Sequence, residues 1–133
     1  MQTYFIQGLF FEENLGIGLR TEPGEGMVAV IRSGMESQMF AGALWDDPTN
    51  ALGGWVGQTQ DKYGGADITK VFIGPEHLEF MKQYQRSGGL PISYRFRKQG
   101  QIWVGEYKNA RMEGKAVCIL TEVPETIFLL PEL

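Results

Sequence analysis

The chain has 133 residues, the length of one domain, and its 43% hydrophobic and 21% charged content excludes a disordered chain. Its net charge of −4 excludes the basic field on which nonspecific nucleic-acid binding depends. A lone cysteine, Cys118, excludes an intramolecular disulfide, and within the apolar run Ala116–Leu120 it reads as an inert core thiol. No apolar run approaches the ~18 residues of a membrane span, and Met1–Ile6 lacks the basic and long apolar parts of a signal peptide, so a cytoplasmic protein without a membrane segment is expected.

The charge is uneven. Residues 1–80 carry four Lys/Arg against eleven Asp/Glu, and 81–133 carry eight against five. Glycine is the compositional outlier at 18 residues, spread along the chain as many short strands and tight turns would use it.

In chain order, Tyr4–Phe11 reads as a strand apolar on both faces, and 12–26, with Gly16, Gly18, Pro23 and Gly24, reads as an irregular loop or a broken strand. Met27–Arg32 and Gln38–Trp45 follow as strands around a hairpin-sized Ser33–Glu36. Asp46–Asn50 is a strong turn signal, because Asp and Asn bond to nearby backbone and Pro fixes φ. Leu52–Thr59 is the next strand and Gln60–Ala66 a polar, Gly-rich loop.

Ile68–Ile73 and His77–Tyr84 read as strands around Gly74-Pro75-Glu76. In the second, Leu78, Phe80 and Tyr84 alternate with His77, Glu79 and Gln83, which favours strand over a short helix. After Arg86–Gly89 comes a hairpin whose register can be worked out. With Gln99-Gly100 as a two-residue turn, Phe96 faces Trp103, Tyr94 faces Gly105 and Ile92 faces Tyr107, all on the inner face. Ser93, Arg95 and Arg97 then lie on the outer face. Gly114–Val123 and Thr126–Leu130 complete the series.

Trp-Val-Gly occurs twice, at Trp55–Gly57 and Trp103–Gly105. On a strand, Trp and the Gly two residues on share a face, an arrangement suited to a curled antiparallel sheet in which Gly permits a bend or a ring lying flat over it. Common hairpin geometry accounts for the two copies better than duplication does. The fold class expected is all-β, a single domain over 1–133: an antiparallel up-and-down meander closing into a barrel of about eight to ten strands, with a β-sandwich as the alternative.

Catalytic chemistry is poorly provided for. His77 is the only histidine, no serine sits in a nucleophile elbow, and His77 with Glu79 falls short of the three or four ligands that zinc takes. The adjacent pairs Glu12-Glu13 and Asp46-Asp47 point to opposite faces on a strand and read as solvated in a loop. No catalytic residue, metal or cofactor is therefore assigned. In the basic stretch Lys82, Arg86, Arg95, Arg97 and Lys98, Arg95 and Arg97 share a face opposite the aromatics and read as a solvated outer face rather than a pocket clamp.

The order of short strands, the W-x-G pairs and the elements Phe80-x-Lys82-x-Tyr84, Ile92-x-Tyr94 and Gly105-x-Tyr107 resemble the calycin-type barrels, lipocalin-like and avidin-like, across most of 37–122. The lipocalin G-x-W lies on the first strand, whereas Gly53-Gly54-Trp55 is mid-chain, and no ligand-contacting residue of those families carries over by position. The resemblance implies a barrel holding a small apolar or amphipathic ligand.

The expected function is thus non-catalytic small-molecule binding within an aromatic-lined interior, with Trp55, Tyr94, Phe96, Trp103 and Tyr107 as ligand contacts and Trp45 beside them. The alternative is a filled barrel acting as a protein-interaction or assembly module through its surface or an edge strand. An enzyme comes third. No nucleic-acid or membrane partner is expected, and a homo-oligomer is left open.

Overall fold

The computed structural model describes residues 2–22, 24, 26–49, 54–86 and 88–124, with side chains described outside 14–22 and 26–34. Among these residues eight strands run in order: β1 (Thr3–Glu22), β2 (Gly26–Asp46), β3 (Trp55–Asp61), β4 (Gly64–Ile73), β5 (His77–Tyr84), β6 (Ile92–Gln99), β7 (Ile102–Lys108) and β8 (Glu113–Val123). Each pairs antiparallel with the next, and β1 pairs with β8 from Thr3↔Val123 to Phe10↔Ala116, closing the barrel. Closure rules out the sandwich. The expected strand at Thr126–Leu130 lies outside the described residues.

Period-two alternation sets the inner face. Ile6 and Phe10 of β1, Phe40 and Leu44 of β2, Leu78 and Phe80 of β5, Tyr94 and Phe96 of β6, Trp103 and Tyr107 of β7 and Cys118 of β8 are all buried in one cluster. Burial pushes the Cys118 thiol up to about 12, so it is an apolar filler rather than a nucleophile.

Strand β4 shows how a slip is absorbed. Its register shifts by one residue against both neighbours around Lys70, which has φ +52°. Ala66 and Ile68 face inward before this bulge, Val71 and Ile73 after it.

Three expectations are corrected. First, the segments expected as a loop over 12–26 and a turn at Ser33–Glu36 are continuous ladder: β1 and β2 remain paired from Glu12↔Glu36 to Glu22↔Gly26. This ribbon extends past the last β1–β8 pair and the last β2–β3 pair, Phe40↔Asp61. Glycine lowers strand propensity without forbidding an extended backbone, and here cross-strand pairing outweighs that preference.

Second, Gln60–Ala66 is not a loop but a tight hairpin. Asp61 pairs with Gly64 around Lys62-Tyr63, and the Asp61 carboxylate accepts the Tyr63 amide at 2.8 Å.

Third, the β6–β7 register differs by two. Phe96 lies opposite Gly105, Tyr94 opposite Tyr107 and Lys98 opposite Trp103. The turn is Gly100-Gln101, with Gly100 at φ +63° in the first turn position as a type II′ hairpin requires, whereas the expected register had placed it second. Because side chains alternate with period two, a shift of two leaves every residue on its expected face. Arg95 now pairs with Glu106 on the outside.

Candidate functional site

The tryptophans lie toward one end of the barrel, with Tyr4 among them, and three other tyrosines toward the opposite end. Trp55 is half-buried where β3 begins, 5.4 Å from the Tyr4 ring, and Trp103 is buried where β7 begins. Trp45 precedes the same end on β2, on the outer parity of that strand. Tyr63, Tyr84 and Tyr107 gather at the other end, where β3 turns into β4, β5 ends and β7 approaches β8. Tyr94 lies between, stacked on Phe80 at 5.0 Å, Phe96 at 6.0 Å and Tyr107 at 5.6 Å, so a column of rings runs from the packed centre to the tyrosine mouth.

At that mouth is a cavity of about 420 Å³ lined by Phe10, Glu12, Tyr63, Tyr84, Tyr94 and Tyr107, with Arg86 and Met112 among its rim residues. Tyr107 is held by two features. Its hydroxyl donates to the Phe11 carbonyl at 2.6 Å, and its ring lies over Gly114, the residue opposite it, where a Cβ would collide with the ring. Phe40 lies over Gly8 in the same way.

Beneath the cavity lies an ion pair. The Lys82 ammonium is 2.6 Å from Asp61 Oδ2, and the two side chains are 1% and 0% exposed. The rings of Tyr84, Phe10, Phe40 and Tyr94 surround the ammonium at 4.8, 4.9, 5.3 and 5.4 Å. Asp61 also accepts the Tyr84 hydroxyl at 2.7 Å, so its carboxylate has an ammonium, a phenol and an amide as donors. Burial pulls the Lys82 pKa below its ordinary value, and the bond to Asp61 opposes that shift. Lys82 is thus buried apart from the rest of its basic stretch. Arg95 and Arg97 are exposed on the outer face, Lys98 is exposed at the other end of the barrel with its ammonium 5.8 Å from the Trp103 ring, and Arg86 is exposed at the cavity rim.

Of the five residues expected to share a ligand cavity, Tyr94 and Tyr107 line this one. Phe96 packs in the core against Phe80 and Tyr94. Trp103 borders a separate depression of about 550 Å³ at the opposite end, walled partly by exposed side chains such as Ile102 and Ile119. Trp55 lines neither. The barrel is filled through its middle and open at the tyrosine end, because the rings that would floor a deeper cavity pack around Lys82.

Sequence reasoning missed Glu12, Tyr63, Tyr84 and the Lys82–Asp61 pair. A signal for Lys82 existed: it has the parity of Leu78, Phe80 and Tyr84, so the alternation of β5 already put an ammonium on the inner face. Glu12 was hidden by the expectation of a loop, and Asp61 and Tyr63 by the expected Gln60–Ala66 loop.

Comparison with known proteins finds no matching family model, no matching curated protein and no matching solved structure. The likeness to calycin barrels rests on the closed eight-stranded up-and-down topology.

Proposed function

We propose that the protein binds a small, partly apolar molecule at the tyrosine mouth of the barrel, without catalysing a reaction. The observation that carries this reading is the cavity itself. About 420 Å³ falls within the size range of small-ligand sites, and inward-facing rings with a few polar groups form its wall. Of the depressions elsewhere, one is bounded by outward-facing Arg95 and Glu106, and the one at the tryptophan end takes part of its wall from exposed Ile119 and from Lys98, whose ammonium lies 5.8 Å from the Trp103 ring. Tyr94 and Tyr107 are the expected contacts retained, joined by Phe10, Tyr63 and Tyr84.

Titration with a neutral aromatic probe, 2-naphthol, followed by NMR of the Met112 methyl group and the tyrosine rings, tests the reading. Shifts at these groups with the Trp103 indole unmoved are expected. Shifts at Trp103 alone, or none, would overturn it.

A second reading, an interaction or assembly module, is favoured by the β1–β2 ribbon. Past Phe10↔Ala116 and Phe40↔Asp61 no third strand pairs with either edge among the described residues, which leaves backbone donors and acceptors for an added strand. Light scattering across a concentration series tests it. Association that a proline in 14–22 abolishes would support this reading, and a monomer throughout would remove self-assembly from it.

A further inference from the structure

The direction of the phenol protons narrows the ligand's chemistry. A tyrosine hydroxyl carries one proton. That of Tyr63 goes to Glu12 Oε1 at 2.5 Å, that of Tyr84 to Asp61 Oδ2 at 2.7 Å and that of Tyr107 to the Phe11 carbonyl at 2.6 Å. With their donors engaged by the protein, these three side chains offer the cavity only oxygen lone pairs and the negative faces of their rings. Tyr94 accepts a weak 3.5 Å bond from Lys82 and keeps its own proton, the one phenolic donor left to the site.

The carboxylate in the cavity wall points the same way. Glu12 lines the cavity half-buried, and its second carboxylate oxygen accepts no hydrogen bond from a described residue. Two exposed cations stand near the cavity, Arg86 on the connection after β5 and Lys62 in the β3–β4 turn, whose ammonium lies 5.4 Å from the Tyr63 ring. Lys82 is neutralised by Asp61 behind the ring layer.

We infer that the mouth cavity takes a small molecule bearing a protonated amine on an aromatic or other apolar body, the ammonium held by Glu12 within the aromatic wall of the cavity. This rests on the ligand-binding reading and specifies it. Aromatic faces attract cations, and a carboxylate acceptor makes a hydrogen bond roughly twice as strong as a neutral one. The site would thus discriminate against carboxylates of the same shape.

Three probes of nearly equal size separate the possibilities: 2-phenylethylamine, 2-phenylethanol and phenylacetate, titrated calorimetrically into the wild type and Glu12→Gln. The amine should bind about tenfold or more tighter than the alcohol, the gain expected of a charge-assisted bond. Glu12→Gln should remove that advantage and leave the alcohol unchanged, with folding checked by circular dichroism. Equal binding of amine and alcohol, tighter binding of phenylacetate, or an unchanged amine affinity in a folded Glu12→Gln would overturn the inference and leave the cavity reading standing. If no probe binds the wild type, both fall. The wild-type comparison decides even if the variant does not fold.

Discussion

Lys82 and Asp61 meet at 2.6 Å where neither side chain reaches solvent, so each charge depends on the other for compensation. Removing one partner from such a pair leaves an uncompensated buried charge, at a cost of about 3–5 kcal/mol, whereas replacing both with apolar residues of similar volume is often close to neutral. Lys82→Met should therefore lower the free energy of urea unfolding by about that amount, and Lys82→Met with Asp61→Leu by less than the single change. A double variant weaker than both singles would mean that the pair acts mainly through the Tyr84 and Tyr63 bonds to Asp61.

Gly114 gives a second test, because the Tyr107 ring occupies the space of its missing side chain. Gly114→Ala should cost about 1–3 kcal/mol, as overpacking does, and should push the Tyr107 hydroxyl away from the Phe11 carbonyl. Since Tyr107 lines the cavity, 2-naphthol should bind this variant more weakly. A variant with unchanged stability and unchanged probe affinity would show that the ring has room to turn aside.

The mouth also predicts an alkaline limit. Tyr63 is pushed up to about 12, chiefly by its hydrogen bond to Glu12, while Tyr84, Tyr94 and Tyr107 are raised chiefly by burial. The unfolded chain loses these protons near the ordinary 10.0, and the folded chain holds them longer. This stabilisation is complete below pH 10 and is lost as pH rises through the folded values. Lys82 acts in the opposite sense: its pKa is lowered, so its contribution grows with pH up to the ordinary 10.5. It is one group against four. The urea midpoint should fall between pH 10 and 12 as phenolate absorbance appears, and Tyr63→Phe should lessen the decline. A flat midpoint would show that the phenols titrate freely.

Much of the barrel was legible because alternation is local. The faces of β5 and β6 follow from their alternation, that of β7 follows from its pairing with β6, and a two-residue register error leaves them intact. What was hidden depends on partners distant in sequence. Nothing near Gly16 or Gly18 indicates that 26–34 pairs with them, and nothing beside Lys82 indicates that Asp61 neutralises it. The separation of the tryptophans from Tyr63, Tyr84 and Tyr107 was equally invisible, since Trp103 and Tyr107 share a strand face and differ only in height along the barrel. Glu12 is close in sequence to Phe10 but gains its meaning from Tyr63, 51 residues away.

The seam between β1 and β8 has a kinetic consequence. Each other ladder joins strands adjacent in sequence and can grow as a hairpin, whereas Thr3↔Val123 brings together segments near opposite ends of the described chain. Contacts of that separation carry the largest loop-closure entropy and tend to limit folding rates. Until the seam forms, the meander is an open sheet with two unpaired edges, each a template for a neighbouring molecule. Protein concentration during refolding then decides whether a sheet closes on itself or joins another.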